Sequence, residues 1–76
     1  MKDVLELIIT NLVDDKNSVL IEELEEEKSI TYKVKVSKDD MGKIIGKQGR
    51  VAKSIRTVIK SLSAKEGKKV NVEFLD

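Results

Sequence analysis

Residues 42–55, GKIIGKQGRVAKSI, set three glycines and the four cations Lys43, Lys47, Arg50 and Lys53 inside what is otherwise one apolar-periodic helix. If Ile45 ends one helix and Arg50 begins the next, Gly46-Lys47-Gln48-Gly49 is a four-residue turn. Glycine at both ends permits positive φ and leaves no Cβ to block a close approach. The following helix would offer free N–H groups and its partial positive charge at the same place, so a phosphate is the natural guest. A Walker loop is not the source of that phosphate. Gly42 to Gly46 is one residue too short for it, and Gln48 stands where the magnesium-binding hydroxyl should be.

The inventory of side chains excludes most other chemistry. Without Cys or His there is no disulfide, thiolate nucleophile, zinc site or imidazole base, and neither a metal nor a cofactor is expected. The acidic run EELEEEK (22–28) falls on an expected hairpin turn with no base or nucleophile beside it, so no enzyme activity is expected. Apolar runs are too short for a membrane span, and the start MKDVLEL does not resemble a signal peptide, which makes the cytoplasm the default location. Charge is divided along the chain: −4 over residues 1–37, +7 over 38–69 and −2 over the last seven. An acidic half beside a basic half argues for one face that meets a polyanion.

The elements that must carry this loop follow from periodicity. With 76 residues there is room for one small domain. Val4, Leu5, Ile8, Ile9, Leu12 and Val13 recur at helical spacing, with Asp3 as cap and DDKNS as stop. SVLIEEL (18–24) and the alternating Ile30, Tyr32, Val34 and Val36 predict two strands joined by EEEK. Ser37 followed by Asp39 and Asp40 predicts a helix start, with Met41, Ile44 and Ile45 on its apolar side. Val51, Ala52, Ile55, Val58, Ile59 and Leu62 predict a longer helix, capped by Gly67, and Val70, Val72 and Phe74 a last strand. The expected class is α+β, in the order α-β-β-α-α-β, with a three-stranded sheet and helices on one face.

IIGKQGRVAKSI resembles the I-G-x-x-G signature of KH (K homology) RNA-binding domains, in which a GxxG loop between two helices clamps about four single-stranded nucleotides. The element order resembles the type II arrangement. Length and wording over essentially the whole chain are similar to the small stand-alone bacterial KH proteins, the KhpA group. That resemblance implies a single KH domain over residues 1–76 that binds single-stranded RNA, acting as an RNA chaperone or post-transcriptional regulator with roles in cell shape and envelope growth. It also implies pairing, either with itself or with a larger KH-containing partner of the Jag type. A protein interaction or dimerisation module is the alternative function.

Carried onto this chain, Gly46, Lys47, Gln48 and Gly49 would form the backbone clamp, with Lys43, Lys47, Arg50 and Lys53 as phosphate contacts. Ile44, Ile45, Val51, Ala52, Ile55 and one edge of the sheet would wall an apolar groove for bases. A domain this small needs its large aliphatics inside, so Ile45, Ile55, Val58 and Leu62 are read first as core, and Ile44, Val51 and Ala52 as the groove. Ala52 stands where many KH domains carry a larger aliphatic residue, which implies a shallower groove. Arg56, Lys60, Lys65, Lys68 and Lys69 are read equally well as solvated. Tyr32 and Phe74 lie at core parity, so bases would be held by hydrogen bonds and aliphatic packing.

Overall fold

The computed structural model describes residues 1–64 and 67–75, and for Lys47 the backbone alone. Helix α1 (Lys2–Leu12) leads through a 3-10 turn (Lys16–Ser18) into strands β1 (Leu20–Glu25) and β2 (Ser29–Lys35); helix α2 (Lys38–Ser63) and strand β3 (Lys69–Leu75) follow. The sheet order is β1-β2-β3, antiparallel between β1 and β2 and parallel between β2 and β3. A parallel pair needs a long crossover, and α2 supplies it. Two consecutive residues within α2, Gln48 and Gly49, take left-handed φ of 65° and 70°. They interrupt the right-handed helix and divide α2 into two halves, so the order α-β-β-α-α-β holds and the fold is that of a type II KH domain.

Alternation in β2 decides which face of the sheet is covered. Ile30, Tyr32 and Val34 are buried, as is Val36 just beyond the strand, and in register they meet Ile21 on one side and Val70 and Val72 on the other. Against this face pack Leu5, Ile9 and Val13 from α1 and Met41, Ile44, Ala52, Ile55 and Ile59 from α2. The opposite face carries Glu22, Lys33 and Glu73 in one cross-strand row.

Three expectations change. Helix α1 starts without a side-chain cap, because Met1 occupies the N-cap position and Asp3 lies in the first turn. Val4 and Leu12 share the helical periodicity but remain partly exposed, as do Val58 and Leu62 on α2. An apolar stripe wider than the sheet it covers cannot all be buried, and α1 and α2 meet only sparingly. The C-cap of α2 is Ala64, with right-handed φ −57°, and not the expected Gly67, which lies three residues further on with a left-handed φ of 71°; Lys65 and Glu66 lie outside the described residues.

Candidate functional site

The start of α2 is fixed by a buried carboxylate. Ser37 caps the helix by accepting from the Asp40 N–H at 3.3 Å and donates its hydroxyl back to Asp40 Oδ2 at 2.9 Å. Asp40, only 2% exposed, also accepts from the N–H groups of Asp14 and Asp15, each at 3.0 Å. Those two backbone donors, then Ser37 and Lys43, hold the Asp40 carboxyl down at about 2 against the opposing effect of its burial. The carboxylate thereby ties the α1–β1 connection to the helix that leads into the glycine loop.

This latch changes the role of Lys43. Its ammonium pairs with Asp14 and lies 3.7 Å from Asp40 Oδ1. The hydrogen bond to Asp14 holds it above its ordinary range. Lys43, expected as a phosphate contact, is already neutralised by two carboxylates. Arg50 and Lys53, by contrast, are exposed and have no ion pair among the described residues. The side chain of Lys47 is outside what the structure describes.

The loop's two glycines serve different ends. Gly49 needs its left-handed φ, which would cost an L-residue about 1–2 kcal/mol. Gly46 is not left-handed, and nothing lies within 4 Å of where a Cβ would stand. Position 46 therefore has no internal need for glycine, and the left-handed turn expected there falls at Gln48 and Gly49 instead. Gly46→Ala should raise the stability of the free protein by roughly 0.5–1 kcal/mol, since alanine suits a helix better. A ligand backbone that approaches closely would meet the new methyl, so a thermal melt and a binding titration on this variant should move in opposite directions.

Around the loop the apolar residues sort differently from expectation. Ile44, assigned to the groove, is 2% exposed and belongs to the core, and so does Ala52 at 5%. Ile45, assigned first to the core, is 42% exposed. Successive helical residues lie about 100° apart, and the sheet took Ile44. Because Ala52 is buried, its small size affects packing against the sheet and not the depth of a groove.

Ile45 lines a cleft between the end of β2 and the first half of α2, with Val36 and Met41 in its floor, Gly42 and Gly46 on its wall, and Lys35 and Lys38 beside them. Of these, Lys35, Val36, Lys38, Met41 and Gly42 were not among the site residues expected from the sequence. Their signal was the alternation of β2 running on to Ser37, which brings the strand end beside the loop-bearing helix. Val51 and Ile55 line a second, apolar cleft with Ile8, Leu12 and Val58, between α1 and the second half of α2. The expected single groove is thus divided in two. Among the described residues no group of three His, Cys, Asp or Glu could hold a metal ion, and no helix is long and apolar enough to cross a membrane.

A helix–turn–helix interrupted by a left-handed pair, followed by a fresh helical start and flanked by exposed cations on a mixed three-stranded sheet, defines a KH-class domain. The family model for the KH domain of KhpA/KhpB matches residues 2–74. The chain is 52% identical over 75 residues to a Clostridium perfringens protein called RNA-binding protein KhpA, covering 99% of this chain and all of the relative. Proteins of the same name from Listeria monocytogenes and Aquifex aeolicus are 43% and 41% identical over 76 residues, covering all of this chain and 100% and 96% of theirs. No solved structure matches the chain. The protein belongs to the KhpA/KhpB family of KH domains.

Proposed function

We propose that the chain is a single KH domain over residues 1–76 that binds single-stranded RNA, non-enzymatically and without a cofactor. The observation that carries this reading is the left-handed Gln48–Gly49 pair, with Gln48 exposed and Gly49 half-buried, close to a Gly46 that no internal contact requires. Gly46, Lys47, Gln48 and Gly49 clamp the strand's backbone, and Arg50 and Lys53 meet its phosphates. Bases lie in the cleft of Ile45, Met41 and Val36, where Lys35 and Lys38 add charge. The full-length relatives named as RNA-binding proteins support this assignment. A cytoplasmic RNA chaperone or post-transcriptional regulator, acting in cell shape and envelope growth, is the cellular role that fits.

A matched titration tests it. Clamping about four nucleotides lets two to four cations meet phosphates, and counterion release from a single strand gives about −0.7 per phosphate, hence a slope of roughly −1.5 to −3 in log K against log salt. Duplex RNA of equal length withholds its bases from the cleft and should bind more weakly despite its higher charge density. Tighter duplex binding with a steeper slope would reduce the site to a nonspecific basic surface.

A specific observation favours a second property alongside the first. Val4, Leu12, Val58 and Leu62 are each 37–51% exposed, and Leu12 and Val58 line the apolar cleft with Ile8, Val51 and Ile55. This face of α1 and α2 suits self-association or pairing with a larger KH protein of the Jag type. Sedimentation of the chain, alone and with such a partner, decides between monomer and pair.

A further inference from the structure

From Met41 to Lys65 the chain carries seven Lys or Arg and no carboxylate. The second half of α2 turns that composition into a line. Arg50, Lys53, Thr57 and Lys60 recur at three- and four-residue spacing, which places them on one face of the helix, and all four are exposed. Among the described residues the ion pairs join Lys43 to Asp14 and Asp40, and Lys68 to Glu25. Among the described residues Arg50, Lys53 and Lys60 thus have no carboxylate partner. Arg56, on the flank, is engaged elsewhere: its Nε donates to the Val72 carbonyl at 3.0 Å, and its guanidinium lies 5.4 Å from the centre of the Phe74 ring. At the far end, Lys60 shares a shallow recess with Lys68 and Lys69.

We propose that this stripe is a second stretch of the RNA path, a phosphate track that carries the strand away from the loop along α2. The inference rests on the RNA-binding reading and extends it from the clamp to the length of strand engaged. Arg50 to Lys60 spans about 15 Å at 1.5 Å per residue. The stripe's three cations, Arg50, Lys53 and Lys60, can each meet one phosphate, the first two shared with the clamp and the last met only by a longer strand. The track reads charge and not bases. Its hydroxyls, Ser54 and Thr57, donate to the Arg50 and Lys53 carbonyls of their own helix at 2.9 and 3.0 Å, and no aromatic side chain lies along it. Binding there is accordingly independent of sequence and additive with the clamp.

The test uses labelled oligouridylates of about four and about eight nucleotides, titrated across a salt series by fluorescence anisotropy against the full chain and against a Lys60→Glu variant. The position is exposed, lies about two turns from Lys53 and suits glutamate in a helix, so the fold and the clamp are kept. The longer strand should bind the parent roughly three- to tenfold more tightly, with a slope steeper by roughly −0.7 to −1.4 for the one or two phosphates added at Lys60 and Lys69. In the variant both gains should vanish while affinity for the shorter strand stays unchanged. A gain with no change of slope would reflect only the larger number of binding registers and would overturn the track. So would a variant that keeps the longer strand's advantage, or a polyglutamate peptide that competes as well as the longer RNA. Loss of shorter-strand binding in the parent would instead refute the clamp itself, which separates failure of the track from failure of the underlying reading.

Discussion

Replacing both Lys47 and Gln48 by Asp should abolish binding of single-stranded RNA while shifting the thermal melt by no more than a few degrees. Gln48 is exposed, and its φ of 65° lies in the left-handed region, where Asp is among the residues best tolerated. The fold therefore loses less than about 1 kcal/mol at such a surface position. Binding is affected far more, because two carboxylates then stand where a phosphate backbone passes against the loop. Lys43, one turn earlier, is already paired with the Asp14 and Asp40 carboxylates. Equal affinity in the double variant and the parent, measured at one salt concentration, would remove the loop from the site.

Periodicity made the order of elements legible, and Gly46-Lys47-Gln48-Gly49 made the loop legible, because each rests on residues close together in the chain. Ile30, Tyr32, Val34 and Val36 alternate in the sequence as they do in the sheet. Ser37 and Asp40 cap α2 as their spacing implies. What stayed hidden depended on residues far apart. Nothing in the wording of DDKNS reveals that the Asp14 and Asp15 N–H groups reach Asp40, or that the Asp14 side chain takes Lys43 out of the free charge. Arg56 looks like any exposed helical cation until Val72 and Phe74 come beside it. The stripe of Val58 and Leu62 could not be sorted from that of Ile55 and Ile59 without knowing how much of α2 the sheet covers. Where two neighbouring positions carry the same side chain, as at 44 and 45, composition is silent and only the helix's rotation against the sheet decides.

That rotation supplies the sharpest test of the site's geometry, since one isoleucine is structural and the next is free to meet a ligand. Ile44→Ala removes methyl groups from a closed core and should cost about 2–5 kcal/mol, the cavity left against the sheet included. In a domain of 76 residues whose total stability is expected near the low end of about 5–15 kcal/mol, that is a large fraction, and a substantial drop in melting temperature should follow. Ile45→Ala leaves no internal cavity, because the side chain is 42% exposed at the mouth of the cleft beside Val36 and Met41. Its cost to folding should stay below about 1 kcal/mol. The cleft nevertheless loses its most accessible apolar contact, so affinity for single-stranded RNA should fall roughly three- to tenfold, in line with about 0.8 kcal/mol per buried methylene. Melting curves and RNA titrations of the two variants should therefore separate cleanly, with Ile44→Ala dominated by the first measurement and Ile45→Ala by the second. An Ile45→Ala protein that melts like Ile44→Ala, or that binds RNA like the parent, would show that bases do not lie along this cleft.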